Sequence, residues 1–193
     1  HLSAYHLTYE PGTDIFQRLQ KKDLVKVTED QSIEQYKKLL DLAELAGYEQ
    51  YEISNFSKPG YNSQHNSNYW KDKIYIGIGP SAHSYNLRSR QWNISDNIEF
   101  ISRIKKGKKY FKVERLSKKT RFNEKLMTTL RTKQGVNLRE IRIQFGNKYY
   151  ECLMKNAERF LQNSDLYEEN HNIMLTKKGM FIADYIISLL FLD

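Results

Sequence analysis

The chain has 193 residues, enough for one sizeable domain or two small ones. Hydrophobic side chains make up 39% and charged ones 28%, a balance that excludes a disordered or fibrous polypeptide. The formal charge of +8 is spread along the sequence rather than gathered on one segment, which argues against a dedicated nucleic-acid surface.

In chain order, HLSAYHLTYE reads as a partly buried strand ended by Pro11 and Gly12, and a short helix is expected over Thr13 to Gln20. Ile33, Tyr36, Leu39, Leu40, Ala43 and Leu45 recur at helical spacing and predict a helix from Glu29 to Ala46, stopped by Gly47. YEQYEISNF reads as a second strand before the Pro59–Gly60 turn, and KIYIGIGPSAHSY as a third that runs into a glycine-rich turn. Strand, helix, strand, loop, strand is the rhythm of parallel α/β architecture, so residues 1–112 are expected to be the closing part of a larger barrel or open sheet. Asn97 to Lys105 reads as one more outer helix.

From about residue 113 the pattern changes. Helices are predicted over Thr120–Arg131, Leu138–Gln144 and Asn147–Leu161. A hairpin follows around EENHN, between Leu166–Tyr167 and Asn172–Leu175, and a terminal helix starts at Thr176. Helices, a short hairpin and a helix outline a small winged-helix-like, mainly α domain over residues 113–193. Arg139 and Arg142 lie three apart on the second of these helices, but Glu140 between them weakens any recognition-helix reading, so no nucleic-acid partner is expected. The longest apolar run, Met180 to Leu192, is broken by Asp184 and Ser188 and is no membrane span. The opening residues lack both a signal-peptide pattern and an initiator Met. The expectation is a cytoplasmic protein, with peripheral membrane attachment as an open variant, whose sequence begins inside a longer gene product.

Chemistry concentrates in PGYNSQHNSNYWKDKIYIGIGPSAHSY, which holds His65, Asn66, Tyr69, Trp70, Gly77, Gly79 and His83. An imidazole can ligate a metal or haem iron axially, and Tyr and Trp offer flat apolar faces to a large ring system. Glycines allow close approach of a ligand or of a second strand. A plainer reading puts Tyr69, Trp70, Tyr75 and Ile78 in the core, with His65 a hydrogen-bonding loop residue. GIGPSA has Ala82 where a dinucleotide fingerprint prefers Gly, and no phosphate-binding loop, HExxH or GxSxG motif occurs. Cys152 is the single cysteine, so these residues hold neither an internal disulfide nor a thiolate set for an iron–sulfur cluster.

HLSAYHLTYEPGT, GYEQYEISNFSKPGYNSQHN, NYW and YIGIGPSAHSY resemble the oxygen-independent coproporphyrinogen III oxidase-like family of radical-SAM proteins. The HNxxYW run, His65, Asn66, Tyr69 and Trp70, is similar to its haem-chaperone (HemW) branch. ERLSKKTRFNEKLMTTLRTKQGV and MLTKKGMFIADYI resemble that family's carboxyl-terminal accessory domain. The resemblance implies the last strands and helices of a partial radical-SAM (TIM-like) barrel over residues 1–112, followed by the accessory domain. It implies haem delivery to an acceptor protein, with His65 as haem-iron ligand and Asn66, Tyr69 and Trp70 shaping the site. Gly77, Ile78 and Gly79 are expected near S-adenosylmethionine. The [4Fe–4S] cluster and S-adenosylmethionine are expected only in a full-length parent carrying CxxxCxxC, so these residues alone are expected to lack radical activity. Oxidative decarboxylation of coproporphyrinogen III to protoporphyrinogen IX is the alternative. A truncated sheet with an open edge would favour a homodimer.

Overall fold

The computed structural model describes residues 1–71 and 73–192; Asp193, the last residue of the expected second domain, lies outside them. The chain divides into two compact units, His1–Ser63 and Gln64–Asp193. This division differs from the expected one at residues 112 and 113. The reason is a β-ladder that runs through that point, since Phe111–Arg115 pairs along its length with Ser89–Asn93.

The first unit contains β1 (Leu2–Ser3), α1 (Asp14–Gln20), α2 (Glu29–Leu45), β2 (Glu49–Glu52) and β3 (Asn55–Ser57). Its sheet has the order β1-β3-β2 and both pairings are antiparallel, not parallel as expected. Only Ile53 and Ser54 separate β2 from β3, and a parallel crossover needs a dozen residues or more, so the chain must return as a hairpin. α2 begins with a capping box: Thr28 Oγ1 accepts from Gln31 N–H while the Gln31 side chain accepts from Thr28 N–H. The Tyr36 hydroxyl donates to the Ile53 carbonyl at 2.9 Å and ties this helix to the hairpin turn. Of the predicted apolar stripe, Ala43 is buried whereas Leu45 is 84% exposed.

The second unit opens with α3 (Gln64–Trp70), followed by β4 (His83–Tyr85), β5 (Ser89–Asn93), α4 (Asn97–Lys105) and β6 (Phe111–Arg115). β4, β5 and β6 form an antiparallel meander, again in place of parallel strands. The expected strand over 73–85 is interrupted. Residues 73–79 make a single bridge, Tyr75 to Tyr85, and Gly79 and Ser81, both at positive φ, turn the chain back into β4.

The remainder comprises α5 (Lys118–Thr129), β7 (Val136–Asn137), α6 (Leu138–Phe145), α7 (Asn147–Gln162), β8 (Leu166–Glu169), β9 (Asn172–Leu175), α8 (Lys177–Met180) and α9 (Ala183–Leu190). Ser117, Asn137 and Thr176 cap α5, α6 and α8 by accepting from backbone N–H groups three residues on. Phe122, Leu126 and Leu130 are buried on one face of α5, and Phe122 meets Phe145 edge-on at 5.4 Å. β8 and β9 turn through Asn170 and His171, both at positive φ, the geometry of a two-residue hairpin whose twist matches its strands. The expected terminal helix is split between α8 and α9. Phe181 and Ile182 donate three residues back, to Lys178 and Gly179 carbonyls, which tightens the chain and redirects it.

Gly135 has φ +67°, and an added Cβ would overlap the Ile173 carbonyl of β9; Gly107 has φ +61° in open space. Gly107→Ala is expected to cost about 1 kcal/mol from backbone conformation alone. Gly135→Ala should cost clearly more, about 3 kcal/mol or above, because a ladder strand must also shift. Urea midpoints of the two variants check the ordering.

Candidate functional site

α3 places His65 and Tyr69 four residues apart, so their rings share one helix face. They meet edge-on with centroids 5.0 Å apart. Tyr69 meets Tyr75 edge-on at 5.1 Å, and Tyr75 lies 5.9 Å from Tyr85. One helix, one extended segment and one strand thus contribute to a continuous run of four rings. The His65 ring is exposed and makes no hydrogen bond among the described residues.

The sequence-predicted residues divide between two places. His65 and Tyr69 stand together in the run, with Tyr69 46% exposed. Asn66 and Trp70 are half-buried on the same helix; Trp70 Nε1 is sequestered from solvent and donates to no acceptor among the described residues. Gly77, Ile78 and Gly79 lie on the following segment. Ile78 is 92% exposed, so the core reading of that residue is corrected. Ile74, Tyr75, Ile76, Gly77 and Ile78 alternate in an extended segment: the isoleucines face outward and Tyr75 and Gly77 face β4. Gly77 has no room for a side chain because an added Cβ would overlap the His83 backbone, and its N–H donates to Ser84 Oγ at 3.0 Å. The close approach is therefore between two stretches of this chain. At Gly79 (φ +99°) nothing would meet an added Cβ, and Asn93 Nδ2 donates to its carbonyl at 2.8 Å. His83 is exposed at the start of β4 and stacks on Trp92 at 6.3 Å, apart from His65.

Sequence reasoning took Tyr75 only as a core residue and passed over Tyr85 and Glu124 as supports of this run. Tyr75 and Tyr85 exchange backbone hydrogen bonds of 3.1 and 2.9 Å. Arg90 sits opposite Tyr85 on β5 and forms a 2.9 Å ion pair with Glu124 of α5. The one available signal was the Tyr75/Tyr85 spacing across a Gly-Pro turn. The Tyr75 phenol is pushed above the usual tyrosine pKa, first by burial. Arg90 pulls it down, and Tyr69 and Glu124 add to the rise. Among the described residues no cluster of three or more His, Cys, Asp or Glu side chains is arranged to hold a metal ion, so the site offers a single imidazole backed by rings.

A tyrosine whose folded pKa is raised contributes stability that is whole below its unfolded pKa of about 10 and is lost as pH rises through that value toward the folded one. Urea midpoints measured from about pH 8 to about pH 11 should therefore fall more steeply for the wild type than for Tyr75→Phe. Parallel curves would show that Tyr75 ionises as it does in the unfolded chain.

Residues 116–182 match the family described as the HemN C-terminal domain. The chain is 28% identical to the "Heme chaperone HemW" of Lactococcus lactis over all of its own length and 51% of that relative. It is also 28% identical to the protein of the same name from Bacillus subtilis, over 95% of the chain and 49% of the relative. The chain thus spans about half the length of the curated relatives it matches. Among solved structures it resembles coproporphyrinogen III oxidase (HemN) from Escherichia coli, titled a radical SAM enzyme, with a TM-score of 0.71. That likeness covers 97% of this chain and 47% of the other at 14% identity, a likeness of fold. The mixed α/β architecture is accordingly that of the HemN structure. Among the described residues no helix is long and apolar enough to cross a membrane.

Proposed function

Because the chain belongs to the HemW/HemN family of radical-SAM proteins, we propose that it is the carboxyl-terminal part of a haem chaperone and holds haem as cargo through His65. The observation that carries this reading is the exposed His65 imidazole set edge-on against Tyr69 on α3, at the head of a run of rings. Iron takes an axial imidazole nitrogen, and a porphyrin needs flat apolar surface beside it. Trp70 Nε1–H, lacking an acceptor among the described residues, suits a propionate oxygen at the porphyrin edge. Asn66 would shape the same pocket from the next position of the helix.

The radical chemistry would belong to the longer polypeptide. A [4Fe–4S] cluster takes several thiolates and these residues supply Cys152 alone, so they do not fit the cluster. The backbone of Gly77, Ile78 and Gly79 is the part of this chain we would place nearest S-adenosylmethionine. We read residues 113–193 as the winged-helix-like accessory domain on the strength of the α5–β7–α6–α7–β8–β9 order. Residues 1–112, whose sheets pair antiparallel, we read as the end of the TIM-like barrel on the family resemblance alone. Delivery to a haem-acceptor protein in the cytoplasm completes the proposal. Peripheral membrane attachment, and pairing of copies through the open sheet edge, are its open variants.

The oxidase reading draws on the fold likeness to HemN. A coproporphyrinogen site needs cations for propionates, and Arg90 is committed to Glu124. Whole-chain similarity to proteins named haem chaperones weighs the other way.

Haem titration of the full-length protein, followed at the Soret band, is expected to give a bound spectrum that His65→Ala shifts, with affinity falling more than about tenfold. Equal spectra and affinities would remove His65 from the iron. Anaerobic formation of protoporphyrinogen by the same preparation would replace the chaperone reading with the oxidase one.

A further inference from the structure

The exposed position of His65 raises a physical question. An imidazole on a helix of seven residues, α3, with a partly exposed tyrosine as its ring neighbour, loses side-chain freedom when iron binds unless something already restrains it. The restraint is the second ring packed on Tyr69. Tyr75 is that second ring, meeting Tyr69 at 5.1 Å and 66°. The backbone of Tyr75 is hydrogen-bonded in both directions to Tyr85. Gly77, two residues on, brings the segment against His83 more closely than any other residue type would allow. The far end of the run is held as well: Tyr85 lies opposite Arg90 on β5, whose guanidinium is paired with Glu124 of α5.

Building on the haem-ligand reading of His65, we propose that Tyr75 is a positioning residue for it, a fixed ring that holds Tyr69 in place and so presents the imidazole in a ligating orientation. Tyr75 touches no iron in this scheme and its hydroxyl has no part in it. The aromatic face is what matters. Phenylalanine should therefore serve and a branched aliphatic side chain should not. Edge-on ring pairs add a modest amount beyond area burial, so losing one should weaken haem binding about three- to tenfold rather than abolish it.

The test is haem titration of the full-length protein in four forms: Tyr75→Phe, Tyr75→Leu, His65→Ala and the Tyr75→Leu/His65→Ala double variant. Thermal melts are run beside each. Expected are wild-type affinity and Soret position for Tyr75→Phe, and weakened binding with an altered Soret band for Tyr75→Leu. Tyr75→Leu should cause no further loss in the His65→Ala background, because a residue acting through His65 has nothing to position once the imidazole is gone. A general folding defect would lower affinity equally in both backgrounds, and that result overturns the proposal. Full binding by Tyr75→Leu while His65→Ala loses it also overturns the proposal and leaves the ligand reading standing. Undiminished binding by His65→Ala overturns both.

Discussion

Two backbone hydrogen bonds between Tyr75 and Tyr85, made possible by the missing side chain at Gly77, organise the region around the candidate site. The extended segment 73–79 makes no other β-bridge among the described residues, so this bridge sets its register on the β4–β5–β6 meander. The bonds from Gly77 N–H to Ser84 Oγ and from Asn93 Nδ2 to the Gly79 carbonyl support it. With that register set, Tyr75 must face β4 and the isoleucines must face away, because side chains alternate along an extended chain. The ring run from His65 to Tyr85 follows from that single choice of face. A slip of one residue would replace Tyr75 by Ile74 or Ile76 and leave Tyr69 without its neighbour.

The helical part of the second unit provides a firm base. Its core is dense in fully buried side chains, among them Phe122, Leu126, Ile141 and Leu153, and side-chain caps close α5, α6 and α8. Asn123 of α5 exchanges two 3.0 Å hydrogen bonds with the backbone of Leu192, which secures the end of the chain to the same helix. The Arg90–Glu124 pair joins the meander to that helix. Arg90 and Glu124 are both only partly exposed, so the pair is screened less than a surface pair and serves chiefly to fix orientation.

Much of the helical content could be read directly. α4 agrees with its predicted span, and α2, α5, α6 and α7 agree to within two residues. In each, apolar residues recur at helical spacing, and in all but α7 a side-chain cap marks the start, as with Thr28, Asp96 and Asn137. The β8–β9 hairpin was legible for a similar reason, because the polar run 168–172 separates the apolar residues of two short strands. The strands of the first unit and of residues 73–85 were read less well. An apolar, alternating segment looks the same whether its neighbour is parallel, antiparallel or absent, and the partner is a matter of long-range pairing. Ile78 shows the difficulty: its residue type suggested burial, yet no neighbour among the described residues covers it.

The sequence by itself determined the residue chemistry: one imidazole and two aromatic rings packed into HNxxYW, a lone thiol, and the family resemblance that this pattern carries. These are properties of residue type and spacing, and they survive any folding of the chain. Only the tertiary structure decided that His65 and Tyr69 are backed by Tyr75 and Tyr85, that Gly77 serves contact within the chain, and that Arg90 is taken up by Glu124. Each depends on which distant segments hydrogen-bond to one another, and that choice is made by the packing of the whole unit rather than by any local run of residues.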